Sequence, residues 1–218
     1  MRSQKLWGFT LIELLTVITI IFILAGLVLS VSRYVTNKGK MSRAQTEIAA
    51  MSAACESYKA DNGVYPDDGT YSGSYQAGAA ALLYPTTMGN PTSTNYTSAS
   101  LVIYRALSGD MNCNGKTEVV DGNYNLAGVS SGSTSTTAPT VYMSFKPTQI
   151  ITTGSGTITT VKSLKDPWGY SYGYSTACAE TGTNGYNPTF DLWSTTGATA
   201  PVTGNSFSQY QQTWITNW

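Results

Sequence analysis

The most continuous apolar run of the chain lies over residues 8–29, and its only ionisable side chain is that of Glu13. Roughly 20 apolar residues suffice for a helix to cross about 30 Å of hydrocarbon, so the pattern predicts a membrane-spanning helix over residues 9–32. A carboxylate in such a helix costs on the order of 2.5–3.5 kcal/mol on insertion scales and indicates a functional group that needs a partner. The nearest candidate partner is an amino terminus created by cleavage between Gly8 and Phe9, because a buried charge is tolerated when an opposite charge pairs with it.

The next pattern is also helical, since apolar residues recur at steps of three and four after residue 40. This spacing predicts an amphipathic continuation of the helix over residues 33–62, whose apolar stripe packs on a head domain. This helix is predicted to end at Gly63, because glycine suits the left-handed cap position. Pro66 supports the same end, because proline cannot continue a helix. The stripe consists of Met41, Ala44, Ile48, Met51, Cys55 and Tyr58.

Residues 63–218 predict a globular β-rich head. Its first part, residues 67–138, is rich in Gly, Ser, Thr and Tyr, which favours a variable surface loop between the helix and the strands. Within this loop we expect a short helical fragment at residues 79–84 and a short strand or buried segment at residues 101–104.

Alternation of polar and apolar residues in the second part of the head predicts strands. Asp166, Pro167, Trp168 and Gly169 predict a tight turn between two of them, in which proline presets φ and glycine supplies the unusual conformation. The fold class is therefore α+β, a long amino-terminal helix packed on a small antiparallel sheet. The predicted strands are residues 140–145, residues 157–161, the segment with Tyr170, Tyr172 and Tyr174, and residues 190–193.

The start of the chain resembles the class III signal of type IV prepilins and type II secretion pseudopilins. That resemblance implies a leader of residues 1–8, cleavage by a prepilin peptidase after Gly8, and N-methylation of Phe9. It also implies that Glu13 meets the Phe9 amine of a neighbouring subunit during assembly. An ordinary secretory signal and a simple single-pass anchor are the alternatives. The motif reads Lys5-x-x-Gly8-Phe9-Thr10-Leu11-Ile12-Glu13.

Three further phrases resemble the major pseudopilin of type II secretion, in the same order along the chain. With the signal, the resemblance covers residues 5–66 densely and residues 166–194 in phrases, while residues 67–165 are not covered. It implies a pilin-like fold and a homopolymer that works with an inner-membrane assembly platform and minor pilin-like subunits. It also implies a single-pass inner-membrane precursor whose head lies in the periplasm or outside. The phrases are residues 58–66, Asp166-Pro167-Trp168-Gly169-x-x-Tyr172 and Phe190-Asp191-Leu192-Trp193-Ser194.

Composition narrows the range of functions. The chain has 12 basic and 12 acidic residues and no histidine; loss of Arg2 and Lys5 with the leader would leave an acidic excess of two. Nothing basic enough for nucleic acid remains, and histidine-based catalysis and metal binding are excluded. We find no phosphate-binding loop, catalytic carboxylate pair or nucleophile–base pair, so we do not expect an enzyme.

The three cysteines predict at most one disulfide in a compartment where disulfides form. Cys55 lies on the helical apolar stripe and is expected to be a buried thiol. The expected pair is therefore Cys113 with Cys178.

Residues 110–121 match the D-x-N-x-N-G spacing of a calcium loop, with an acid at position twelve. Short oxygen side chains at alternate positions converge on a hard cation, Gly115 makes the sharp turn, and Lys116 would offer its carbonyl. Resemblance to the major pseudopilins implies a different calcium site, built from aspartates after the 190–194 phrase, but residues 194–216 contain no acid. The expected calcium ligands are Asp110, Asn112, Asn114, Lys116, Glu118 and Asp121.

These features indicate a structural subunit of a type IV pilus-like filament, most closely the major pseudopilin of a type II secretion system. Two alternatives remain. A surface filament such as a type IV pilus would use the same helix and suits the polar 67–138 segment. A calcium-dependent adhesive or minor tip protein would use the 110–121 loop.

Overall fold

The computed structural model describes residues 8–67, 83–123, 134–154, 160–199 and 207–218. The chain divides into two compact units, Met1–Lys40 and Met41–Trp218. The elements confirm the α+β class, with a long amino-terminal helix followed by small antiparallel sheets. Most of the predicted leader, residues 1–7, lies outside the described residues.

Helix α1 spans Leu11–Asn62. Within the second unit its predicted stripe is buried, since Ala44, Ile48, Met51 and Cys55 are each at most 3% exposed and belong to the main core. The helix ends as the sequence predicts: Gly63 adopts φ 80° and donates its N–H to the Lys59 carbonyl at 2.7 Å.

Helix α2 spans Thr94–Ser108 and ends at Gly109, which adopts the left-handed conformation. It includes residues 101–104, so the strand interpretation of that segment is wrong, while the expectation of burial holds for Val102, Ile103 and Tyr104. The segment is helical because its buried positions continue a longer helical period that begins at Tyr96 and Ala99. Of the fragment predicted at residues 79–84, residues 79–82 lie outside the described part, and Leu83 and Tyr84 are not helical.

The strands form two small sheets rather than the one predicted. In the first, β1 (Ile150–Thr153) pairs antiparallel with β2 (Thr160–Leu164). In the second, β4 (Asp191–Ser194) lies between β3 (Gly173–Ser175) and β5 (Ile215–Thr216), both antiparallel to it. Two short helices, α3 (Ala177–Thr181) and α4 (Phe207–Gln211), and two 3-10 helices, Val119–Asn123 and Pro147–Gln149, complete the described elements.

The strand predicted at residues 140–145 is wrong. This segment is irregular, and its backbone N–H groups at Tyr142 and Met143 both bond to the Leu107 carbonyl near the end of α2 instead of to a neighbouring strand. Of the strand predicted at residues 157–161, residues 157–159 lie outside the described part, and Thr160 and Val161 begin β2.

Two buried clusters hold the second unit together. The main cluster joins the stripe of α1 to α2 and to the inner faces of both sheets. In the smaller one, the Trp193 indole stacks on Trp214 with ring centroids 5.8 Å apart and donates its N–H to the Tyr96 hydroxyl at 2.8 Å. The aromatic side chains of the 190–194 phrase therefore serve packing, as aromatics commonly do.

Candidate functional site

The start of α1 contains a capping box that the sequence analysis did not identify. The Glu13 carboxylate turns back and accepts hydrogen bonds from the Thr10 backbone N–H at 2.8 Å and the Thr10 hydroxyl at 2.6 Å. The Thr10 hydroxyl oxygen in turn accepts the N–H of Glu13 at 3.3 Å. The signal was present in the sequence, because threonine followed three residues later by glutamate before an apolar run is the usual pattern of this motif.

This geometry gives Glu13 a partner within its own chain. Two donated hydrogen bonds offset part of the cost of placing a carboxylate in an apolar segment. Phe9, the predicted new terminus, immediately precedes Thr10 and is 82% exposed. The carboxylate of Glu13, the predicted assembly residue, therefore bonds to Thr10, the residue that follows the predicted new terminus Phe9.

The first unit presents apolar side chains to its surroundings on every side of the helix. Leu11, Ile12, Phe22 and Leu27 are all at least 60% exposed. Within the described residues, α1 is the helix that is long and apolar enough to cross a membrane, and none of its most apolar segment is buried. Residues 11–32 rise about 33 Å along a helix, which exceeds the hydrocarbon thickness of about 30 Å.

The 110–121 loop is built around the buried carboxylate of Asp110, which is 1% exposed. It accepts hydrogen bonds from the Tyr104 hydroxyl at 2.6 Å and from the backbone N–H groups of Asn114 at 3.0 Å and Gly115 at 2.7 Å. Burial raises the pKa of Tyr104, so its hydroxyl remains a donor. Gly115 adopts φ 86°, the turn conformation that the motif predicts.

A second buried carboxylate, that of Asp121, closes the loop. It accepts the backbone N–H groups of Asn112 at 3.0 Å and Glu118 at 2.6 Å. Between the two acids, the Asn112 side-chain oxygen accepts the Asn114 N–H and the Asn114 oxygen accepts the Lys116 N–H. The side-chain oxygens at alternate positions thus bond to backbone N–H groups of the loop itself.

The donor set suits a hard cation only in part. Each carboxylate offers about four acceptor sites; the hydrogen bonds seen among the described residues use three at Asp110 and two at Asp121. No group of three or more acidic or cysteine side chains converges within the described part of the chain. A cation here would therefore depend on amide and carbonyl oxygens as well as on the two carboxylates.

The structure does not contain the predicted disulfide between Cys113 and Cys178. All three cysteines are free. Cys113 is buried beside α2, where the Arg105 Nε donates a hydrogen bond to its Sγ at 3.2 Å. Cys178 lies in α3, and its Cβ packs against Gly185, so each sulfur is positioned by a different part of the head. Cys55 is buried on the stripe, as expected.

The two phrases in the carboxy-terminal half contact each other. The Asp166 carboxylate accepts the backbone N–H groups of Trp168 and Tyr170 within the predicted turn, and it accepts the Ser194 hydroxyl at the end of β4 at 2.6 Å. The Gly169 N–H bonds to the Asp166 carbonyl at 2.9 Å, which closes the turn. These residues therefore fix the turn to the second sheet, a structural task.

Comparison with known proteins finds three relatives named type II secretion system core protein G. The chain is 38% identical to the protein of Pseudomonas aeruginosa over 96 residues, which cover 44% of this chain and 62% of the relative. It is 44% identical to that of Klebsiella michiganensis over 68 residues and 42% identical to that of Vibrio cholerae over 67 residues, each match covering 30% of this chain.

The matches to the Klebsiella and Vibrio proteins cover 46% and 44% of those relatives, so the chain spans about half the length of the curated relatives that it matches. No family model matches the chain. No solved structure matches it either. The three relatives bear the name to which the sequence motifs point, and the chain is similar to them over part of their length.

Proposed function

We propose that the chain is a structural subunit of a type II secretion pseudopilus, cleaved after Gly8 and N-methylated at Phe9. The observation that supports this most directly is the start of α1, where Glu13 is held beside Thr10 in a helix whose apolar side chains are otherwise exposed. Exposed apolar surface of this kind requires lipid or other apolar helices around it. Storage in the inner membrane followed by polymerisation supplies both in turn.

In this proposal, the first units of successive copies bundle in the centre of a homopolymer, with the heads outside. The Glu13 carboxylate pairs with the Phe9 amine of a neighbouring subunit and sets the axial register. The partners are prepilin peptidase, an inner-membrane assembly platform and minor pilin-like subunits. The work is mechanical and involves no chemical turnover.

The test separates the charge of Glu13 from its role in the capping box. Glu13→Ala removes both, whereas Thr10→Val removes the hydroxyl that bonds to the carboxylate and keeps the carboxylate itself. We expect cleaved chain from both variants, measured by intact mass, but filaments only from Thr10→Val, measured by electron microscopy of sheared material. Normal filaments from Glu13→Ala, or equal loss in both variants, would contradict the pairing.

We also propose that the 110–121 loop holds calcium and stabilises the head. The support is the ladder of oxygen side chains and the remaining acceptor capacity of two buried carboxylates. Asp110, Asn112, Asn114 and Asp121 would provide side-chain oxygens, Lys116 its carbonyl, and Glu118 a contact through water. A bound cation would neutralise the two buried carboxylates of the loop, those of Asp110 and Asp121.

Thermal unfolding of the full chain in detergent tests this proposal. A ligand at 100 times its Kd adds about 2.7 kcal/mol to the free energy of unfolding, which for a head of this size raises the Tm by about 5–11 °C. Calcium should raise the Tm of the wild type and of the control Asp61→Ala, an exposed acid on α1, but not that of Asp110→Ala. If calcium does not raise the Tm of the wild type, the proposed calcium site is refuted.

A further inference from the structure

The segment that follows the membrane-spanning residues is strongly basic. Between Glu13 and Glu47 the sequence carries four cations and no acidic residue. One of the four, Arg43, is engaged by its own helix, where its Nε lies 2.7 Å from a Glu47 carboxylate oxygen. The other three, Arg33, Lys38 and Lys40, form no ion pair within the described residues, and we call them the juxtamembrane cations.

A membrane span over residues 9–32 would place the juxtamembrane cations near the depth of lipid headgroups. Arg33 follows directly after the predicted span of residues 9–32, and Lys40 lies about 10 Å further along the helix. The headgroup region of one leaflet is about 5–8 Å thick, and the long aliphatic stems of lysine and arginine let their charges reach back to it. Tyr34, 65% exposed with the Lys38 ammonium 5.7 Å from its ring centroid, is the type of residue that marks this interface.

These cations also point to different sides of the helix. At about 100° per residue, Arg33 and Lys40 share one side and Lys38 lies roughly 140–160° away. A helix that stands across a leaflet is surrounded by headgroups, so cations on opposite sides can each meet one. Neighbouring copies stored at the same depth would instead bring cation against cation, because residues 14–46 of each copy contain no acid.

We propose that the juxtamembrane cations bind the phosphate groups of anionic phospholipids in the leaflet from which the head emerges. This inference rests on the proposed storage of the chain in the membrane. The juxtamembrane cations add to the cost of insertion, since positive charges on this side oppose translocation of the head. Headgroup contacts after insertion offset that cost, and they screen the repulsion between copies that gather before assembly.

The test measures lipid preference around the full-length chain. The chain is reconstituted into nanodiscs of equimolar phosphatidylglycerol and phosphatidylcholine with matched acyl chains, and retained lipids are counted by native mass spectrometry. A cation near an anionic surface contributes about 1 kcal/mol, so we expect phosphatidylglycerol to be enriched about fivefold at each retained position. The enrichment should fall as ionic strength rises from about 0.1 to 1 M, where the Debye length shortens from about 10 to 3 Å.

A matched pair of variants locates the effect. The triple variant Arg33→Gln, Lys38→Gln, Lys40→Gln should show no enrichment. The control Lys146→Gln, Lys162→Gln, Lys165→Gln removes the same charge from the head and should behave as the wild type. Equal enrichment in the triple variant and the wild type, or none in the wild type, overturns the proposal.

Two further arms distinguish other occupants. Loss of the enrichment on addition of soluble glycerol phosphate would assign the cations to a free phosphate and overturn the proposal. So would a triple variant that loses cross-links between copies while it keeps the lipid preference. Filament formation is scored separately: filaments without a lipid preference contradict this inference alone, and a lipid preference without filaments contradicts only the proposed function.

Discussion

The buried carboxylate of Glu47 provides the sharpest test of how α1 is held to the head. Glu47 is 8% exposed and accepts hydrogen bonds from the Tyr172 hydroxyl at 2.6 Å, the Gln149 Nε2 at 3.1 Å and the Arg43 Nε at 2.7 Å. Burial raises the pKa of Tyr172, so its hydroxyl stays protonated and acts as the donor. One carboxylate thus joins the helix to the start of β1 and to the segment before β3.

The expected cost of Glu47→Ala follows from these contacts. A hydrogen bond to a charged group contributes about 1.5–3 kcal/mol, and a buried donor left without an acceptor costs about 1–3 kcal/mol. The Arg43 ion pair adds little, because the Arg43 side chain is 47% exposed. We therefore expect a loss of about 3 kcal/mol, which corresponds to about 6–12 °C in Tm for a domain of this size.

A double-mutant cycle with Tyr172→Phe assigns the effect to this pair. Without the carboxylate, Tyr172→Phe removes a hydroxyl that has already lost its acceptor, so the double variant should cost about 1–2 kcal/mol less than the sum of the singles. Glu56→Ala is the matched control on the exposed side of the same helix and should cost less than about 1 kcal/mol. Denaturant unfolding followed by tryptophan fluorescence measures all four variants. Additive single costs, or a Glu47→Ala cost no larger than the control, refute the reasoning.

Three other outcomes are expected. Gly173→Ala should cost about 2–3 kcal/mol in chemical unfolding, because a Cβ there would overlap the buried Trp193 indole that faces it across β3 and β4; an unchanged midpoint would contradict this packing. Burial raises the pKa of both Asp191 and Asp166, so the contribution of each carboxyl group to stability is complete below its ordinary pKa of about 3.9 and declines as pH rises through the raised value. Unfolding from pH 3 to 7 should show this decline in the wild type and a smaller one in Asp191→Asn, and an equal decline in both would contradict it. The unfolded chain, treated with an alkylating reagent without reductant, should gain three alkyl groups by mass, since Cys113 and the other two cysteines are free. A gain of only one group would indicate a disulfide and contradict this.

The helix was predictable because its signals are local. The stripe, the Gly63 cap and the following Pro66 specify the buried face and the end of α1 without reference to the rest of the chain. The 166–169 turn was predictable for the same reason, since proline and glycine restrict φ directly. Such positions are where sequence reasoning about this fold succeeds.

The failures come from segments whose conformation depends on distant partners. Residues 101–104 form an apolar run of four, which fits a strand or a buried helix equally well by periodicity. Contacts of α2 with Leu164 decide between them, because the Ser100 hydroxyl oxygen accepts the Leu164 N–H at 2.9 Å. Residues 140–145 alternate as a strand does, but both of their paired N–H groups go to Leu107 at the end of α2, which no local pattern specifies.

The capping box gives the Glu13 carboxylate hydrogen-bond partners within its own chain. A carboxylate without any partner in an apolar helix would need an amine from another molecule. In this chain, however, the Thr10 N–H and hydroxyl already donate hydrogen bonds to the Glu13 carboxylate. Two hydrogen bonds satisfy part of its acceptor capacity and leave the negative charge uncompensated. Under the proposed function, these bonds would let a single copy reside in the membrane, while pairing with a neighbour's Phe9 amine would add the charge neutralisation that hydrogen bonds cannot supply. Under this proposal, the capping box would make storage possible, and the charge that it leaves unpaired would drive assembly.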